Sequence, residues 1–358
     1  MLELLATNQQ NKFFSGLFLL AALSKLSLKT GIKIALACGF FLAASTTSYA
    51  SDLLSMLEKM SAASQSRNYQ GTFILRKSNQ ISTLRVSHGK DERGVWESLE
   101  ALNGEPRRVI LQNKKVISIF PAKKLLTIRQ SDATTSLKHK LPDNLAKLTK
   151  YYTFHQLHSD RIAGYKTFVL DLEPKDQYRY GYRYWLENDT GMLLRCDILN
   201  AKHSVIEQMM FTQMHYLDKP PIAAFKNINL KGYTVQKLGD ETKPVNAVNW
   251  RVTKPPAGFK YIRSHYRKSL SLPALLQLVY SDGLASVSVF IEKLNDKTVH
   301  LAGSSALGAI HAYGVQYGDH YITSVGEVPA ITVMQMAQTT KQVNSLKQAI
   351  NTRKQAGQ

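Results

Sequence analysis

The sequence predicts an α+β protein, in which a large antiparallel half-barrel encloses helices and is linked to a smaller α+β domain. Three observations predict it. Residues 71–216 divide into about eleven short stretches rich in β-branched and aromatic residues, joined by short turns. Short turns imply antiparallel pairing, because a parallel crossover consumes a dozen or more residues. A sheet that wide must curl, and with only two helical segments to fill its hollow the concave side is a natural apolar cavity. Composition then changes over residues 218–245, and a second, shorter run of strands with a terminal helix follows.

The chain of 358 residues is expected to open with an export signal. Lys25, Lys29 and Lys33 precede the apolar run Ile34–Ala44, and Ser48-Tyr49-Ala50 places small residues at the −3 and −1 positions. Residues 1–50 are therefore expected to be a signal peptide, with cleavage near Ala50-Ser51.

Charge narrows the partners. The chain carries 46 basic against 26 acidic residues, a formal +20, and loss of the leader's four lysines and one glutamate leaves +17. Such a surface attracts polyanions. Export excludes nucleic acid as a natural partner and leaves lipopolysaccharide, anionic lipid or an acidic protein segment. Cys196 is the one cysteine of the mature chain, so no intrachain disulfide is possible, and its apolar strand marks it as a small buried residue.

The elements follow in order. Residues 51–67 read as an amphipathic helix, with Leu53, Met56, Leu57, Met60 and Ala63 at helical spacing. Strands at 71–77 and 81–87 form a hairpin that places Phe73 and Leu75 on one face, opposite Leu84 and Val86. Its other face and turn end carry Arg76, Lys77 and Arg85, candidates for an acidic partner that a solvated face explains as well. Strands near 95–101, 106–112, 116–120 and 124–129 come next, then a helix at 142–152. Strands near 153–159, 164–173, 178–187, 191–199 and 203–216 complete the large domain, residues 51–217. Asp218-Lys219-Pro220-Pro221 opens a linker, 218–245, with a short strand near Tyr233–Leu238. The small domain, 246–350, has strands near 247–252, 258–266, 275–281, 284–292, 306–316 and 319–326. Ser281-Asp282-Gly283 and Tyr317-Gly318-Asp319 supply hairpin turns. Pro329 suits the first position of a helix over 329–349, and 351–358 is a tail.

Catalytic signatures are missing. No H-E-x-x-H, G-x-S-x-G, G-x-G-x-x-G or Walker-type segment occurs, so no enzyme, cofactor or metal is expected. His155 and His158 point to opposite faces of a strand, Gly303-Ser304-Ser305 has no identifiable base, and Asp171 with Glu173 is a single carboxylate pair. The most pointed run is Tyr178-Arg179-Tyr180-Gly181-Tyr182-Arg183-Tyr184-Trp185. In a strand, Tyr178, Tyr180, Tyr182 and Tyr184 share a face, either as the aromatic wall of a ligand cavity or as cross-strand packing. A second cluster, Arg251, Lys254, Lys260, Arg263, Arg267 and Lys268, gathers at the start of the small domain.

Five segments together carry a family resemblance: Leu57 through Phe73, Leu84-Arg85-Val86-Ser87-His88, Leu102 through Val109, Val279 through Leu284, and Val325-Gly326-Glu327-Val328-Pro329. In this order and spacing they resemble the RseB/MucB proteins, periplasmic regulators of the sigma-E envelope-stress response, over residues 51–345. The resemblance implies a half-barrel similar to the lipoprotein carriers LolA and LolB, joined to a smaller α+β domain. It further implies a non-enzymatic negative regulator in the periplasm. Such a protein binds the periplasmic segment of the anti-sigma factor RseA, shields it from the site-1 protease and is released by lipopolysaccharide or another amphiphilic lipid. A lipid or lipoprotein carrier is the alternative, and a homodimer is left open.

On this basis Phe73, Leu75, Leu84, Val86, Tyr178, Tyr180, Tyr182 and Tyr184 are lipid-cavity candidates. Arg251, Lys260, Arg263, Arg267, Lys268 and Tyr280 are candidates for the anti-sigma partner. The chain departs from the family pattern at Gln70, where an acid is common, at Arg108, where Glu is frequent, and at Pro255, where Leu is usual.

Overall fold

The computed structural model describes residues 46–92, 94–113, 115–130, 145–226, 230–237, 242–244, 249–267, 275–294, 300 and 302–343. The leader up to residue 45, residues 142–144 of the predicted second helix, Lys268 and the tail lie outside them.

The first element is the expected amphipathic helix, α1 (Thr46–Ser66). Leu53, Leu57, Met60 and Ala63 lie one turn apart and are all buried against the sheet. Eleven antiparallel strands follow: β1 (Asn68–Lys77), β2 (Gln80–Asp91), β3 (Gly94–Ala101), β4 (Arg108–Gln112), β5 (Lys115–Phe120), β6 (Leu125–Gln130), β7 (Tyr152–Ile162), β8 (Tyr165–Pro174), β9 (Gly181–Glu187), β10 (Leu193–Leu199) and β11 (Val205–Leu217). With β12 (Thr234–Lys237) they form one twelve-stranded sheet in the order β12-β6-β5-β4-β3-β2-β1-β11-β10-β9-β8-β7. The first strand pairs with the last of the run, Phe73 facing Phe211, which brings the two halves together while leaving β7 and β12 as open edges.

Register explains the core. Phe73 lies opposite Leu84, and Gly71 opposite Val86, so the hairpin's apolar side chains share one face with Phe211, Met209, Cys196 and Tyr184. That face is the one α1 covers. A smaller cluster on the opposite face joins Ile110, Ile119 and Leu126 to Phe225 and Tyr233.

The proposed linker is part of this domain at its start. A short helix, α2 (Ala223–Lys226), lies over the outer face, where Arg108 donates to the Ala224 carbonyl and the rings of Trp96 and Phe225 stand 5.9 Å apart. A Cβ at Gly89 would come within 2.8 Å of Pro220, so glycine lets this strap lie on β2. Residues 234–237 then add β12 parallel to β6, an exception to the all-antiparallel expectation that the intervening 100-odd residues make topologically free.

The small domain is a seven-stranded sheet ordered β13-β15-β16-β17-β20-β19-β18. Its strands are β13 (Thr242–Pro244), β15 (Lys260–Arg267), β16 (Leu275–Ser281), β17 (Ser286–Lys293), β18 (Gly303–Leu307), β19 (Ile310–Tyr317) and β20 (His320–Gly326). Helix α3 (Ala330–Gln338) packs Val333, Met336 and Ala337 onto Leu276, Leu278, Val287 and Val289. The pair β14 (Trp250–Val252) and β21 (Thr340–Gln342) closes the domain.

Four further expectations change. The strand set at 306–316 is two, split by a turn at Gly308, whose φ of +60° favours glycine. The terminal helix ends at Gln338 rather than residue 349, because Thr339 and Thr340 turn their hydroxyls back onto the Gln335 and Met336 carbonyls and the chain leaves as β21. The second helix is a 3₁₀ turn, Leu145–Lys150, within the described residues. The strand set at 178–187 begins only at Gly181, since Asp176 caps the Tyr178 amide and holds residues 176–178 as a turn.

Candidate functional site

The aromatic run divides at that turn. Tyr182 and Tyr184 sit on the inner face of β9, stacked with centroids 6.1 Å apart, and both are buried. Phe73, Leu75, Leu84 and Val86 are buried in the same cluster beneath α1. Burial also pushes the Tyr182 and Tyr184 hydroxyls well above the ordinary tyrosine range. These side chains pack as a closed core, so a lipid can reach them only by displacing what covers them.

Tyr178, Arg179 and Tyr180 instead build a seam with the small domain. Arg179 Nη1 donates to Asp282 Oδ2 at 2.6 Å, and both side chains have no exposed surface. The guanidinium also donates to Asp176 and to the Ala257 carbonyl, and its carbon lies 4.8 Å from the Tyr151 ring centroid and 5.3 Å from that of Phe259. Tyr152 Oη donates to the same Asp282 oxygen at 3.4 Å. Burial raises the Asp282 carboxyl from its ordinary value, opposed by Arg179 and by the Ala285 and Leu284 amides that bind it.

Further contacts extend the seam. Tyr180 Oη lies 3.1 Å from His311 Nδ1, which is also 2.9 Å from the Val328 carbonyl. That carbonyl can only accept, so Nδ1 carries the hydrogen and shares it with the tyrosine oxygen. Thr332 Oγ1 donates to the Tyr178 carbonyl at 2.7 Å, and the Ala309 amide donates to Glu207 at 2.9 Å. Glu207 in turn stands 2.8 Å from Lys77. A Cβ on Gly308 would lie 2.4 Å from Glu207 Oε1, so the β18–β19 turn needs glycine for this contact as well as for its φ.

Of the predicted partner residues, Arg251, Lys260 and Arg263 are exposed, and on the strand that carries the last two, Tyr261, Ile262 and Tyr266 expose 46%, 55% and 40% of their surface. Ile262 stands at a register shift against β16, which swings its side chain outward. Arg267 ends β15 opposite Leu275. Tyr280 does not belong to this surface: it is 4% exposed, and its hydroxyl accepts the Val252 amide.

Other candidates resolve locally. Lys77 meets Glu207 at 2.8 Å, and Arg85 meets Glu100 at 3.1 Å with both side chains still half-exposed. His155 lies 3.4 Å from Glu173, and Asp171 binds Arg183 at 2.8 Å. Among the described residues no group of three or more His, Cys, Asp or Glu is placed to hold a metal ion. The sequence had no local signal for the role of Arg179 or Asp282, which lie 103 positions apart.

Comparison with known proteins matches both domains. Residues 52–231 match the MucB/RseB N-terminal domain and residues 244–341 the MucB/RseB C-terminal domain. The Pseudomonas aeruginosa sigma factor AlgU regulatory protein MucB is 30% identical over 295 residues, covering 80% of this chain and 90% of that protein. The Escherichia coli K12 sigma-E factor regulatory protein RseB is 25% identical over 294 residues, 80% of this chain and 89% of that protein. Among solved structures, the complex of Pseudomonas aeruginosa MucA and MucB superposes with a TM-score of 0.64 at 27% identity, covering 81% of this chain and 99% of that one. A structure of MucB with the periplasmic part of MucA gives 0.63 at 27% identity, with the same coverage. Two domains matched in order, with relatives aligned along nearly their whole length, place this chain in the MucB/RseB family.

Proposed function

We propose that this chain is a periplasmic, non-enzymatic negative regulator of a sigma-E-type response, which binds the periplasmic segment of an anti-sigma factor and shields it from site-1 proteolysis. The observation that carries this is the shared fold, along 99% of its chain, with MucB solved in complex with the periplasmic part of MucA. The small domain supports it with an exposed basic and aromatic surface, Arg251, Lys260, Tyr261, Ile262 and Arg263, suited to an acidic or mixed segment.

Lipid sensing is the second half of the proposal. The buried tyrosines and the Phe73 cluster form an apolar interior sealed by α1 and by the seam at Arg179–Asp282. An amphiphile that occupies this interior must part those elements. It then favours the opened state by its differential affinity alone, and releases a segment that prefers the closed one.

The test is protection. The purified mature chain, added to the anti-sigma periplasmic segment, is expected to slow its cleavage by the site-1 protease, and lipopolysaccharide to restore cleavage. A cleavage rate unchanged by saturating protein contradicts the regulator reading. Transfer of lipoprotein between membranes by the same preparation would favour the carrier instead.

A further inference from the structure

The outer face of the large sheet carries a feature that neither the seam nor the buried core uses. Two cross-strand rows run side by side there. One is Gln70–Ser87–Ser98 and the other Thr72–Arg85–Glu100–Arg108, each residue in register with the next across β1 to β4. Residues 223 and 224 of the strap roof them, and between roof and sheet lies a cavity of about 240 Å³, lined by Gln70, Arg85, Ser87, Ser98, Glu100, Arg108, Ala223 and Ala224. That volume is about eight times the share of one liquid water, room for a small solute.

Its lining has more donors than acceptors. Ser87 and Ser98 are each 4% exposed. Ser87 Oγ accepts from Gln70 Nε2 at 3.0 Å and Ser98 Oγ accepts from Arg108 Nε at 3.0 Å, so each hydroxyl retains a proton to donate. No acceptor among the described residues takes either proton. Arg108 spends one further hydrogen on the Ala224 carbonyl. Glu100 stands in register between Arg85 and Arg108 and pairs with Arg85 at 3.1 Å, so one carboxylate faces two guanidinium groups. The cavity therefore holds a net positive charge and inward-facing hydroxyl donors, the complement of an oxyanion.

We propose that this cavity binds the phosphate or carboxylate group of a small solute, held by Arg108 and Arg85 with the Ser87 and Ser98 hydroxyls. The site lies on the face of the sheet opposite the apolar interior.

Titration calorimetry on the mature chain in 150 mM NaCl tests it, with inorganic phosphate and succinate as separate probes that distinguish the two anion classes. Saturable binding of at least one is expected, weakened about tenfold or more by Arg108→Gln. Arg108 also holds the strap, so Arg85→Gln and Ser87→Ala serve as milder variants, each expected to weaken binding several-fold with the fold intact. Lys260→Gln, an equal charge change on the other domain, should leave affinity unchanged. No saturable binding of either probe by folded wild type would overturn the proposal, with water as the cavity's occupant. Affinity indifferent to both Arg85→Gln and Ser87→Ala, or lowered as much by Lys260→Gln, would do the same.

Discussion

Arg179 Nη1 and Asp282 Oδ2 stand 2.6 Å apart at the seam between the two domains, and neither side chain touches solvent. Asp282 thus takes its cationic partner from the other domain, while Arg179 also pairs with Asp176 of its own. Removing Arg179 leaves the buried Asp282 without that partner, which costs about 3–5 kcal/mol. Arg179→Met is expected to lower stability by that order and to split urea unfolding into two transitions as the domains uncouple. The double variant Arg179→Met/Asp282→Leu should recover part of the loss. One transition of unchanged midpoint in Arg179→Met would show that the pair does not join the domains.

Leu57 has no exposed surface and lies at the centre of the face that α1 presents to the sheet. Leu57→Ala should cost about 2–5 kcal/mol, by lost burial and a residual cavity. Guanidinium denaturation measures this. A loss below about 1 kcal/mol would mean that α1 is not packed as described.

Asp197 predicts a pH dependence. It is buried beside Arg195, and burial lifts its carboxyl to about 7 against the pull of that arginine. In the unfolded chain the same group titrates near 3.9, by its ordinary value. Between those values the folded state holds a proton that the unfolded state releases, so this group's contribution to stability falls as pH rises through about 7. Wild type is therefore expected to lose more stability than Asp197→Asn between roughly pH 5 and 8. Parallel stability profiles for the two proteins would contradict it.

Tyr182→Ala should unfold or severely weaken the protein, at a cost of about 3–5 kcal/mol, because the ring is 2% exposed and stacked on Tyr184. Lipid affinity at this position is better read from Tyr182→Phe, which keeps the ring. Circular dichroism melts separate the two effects. A Tyr182→Ala variant with wild-type melting would mean that the ring lines an open space.

These cases show what the sequence carried. Period-two alternation made the hairpin's apolar face legible, since Phe73, Leu75, Leu84 and Val86 needed only local pairing to come together. The small domain's strands at 275–281, 284–292 and 319–326 were legible for the same reason, whereas the turn at Gly308 that splits 306–316 was not. The aromatic run was read as one strand because Asp176 capping Tyr178 is a side-chain effect that alternation does not encode. Tyr280 looked available because an isolated tyrosine gives no sign of whether a backbone amide such as that of Val252 meets its hydroxyl. The seam was invisible for a deeper reason. Arg179 acquires its role only when a turn from another domain brings Asp282 against it, and no periodicity spans that distance.

The central claim, that this chain holds an anti-sigma periplasmic segment, is tested most directly by fluorescence anisotropy of the labelled segment titrated with the mature protein at two salt concentrations. Saturable binding is expected, weaker at high salt and weakened further by Lys260→Glu with Arg263→Glu, since exposed cations carry part of the attraction. Anisotropy that stays flat through micromolar concentrations of folded protein at low salt would contradict the account.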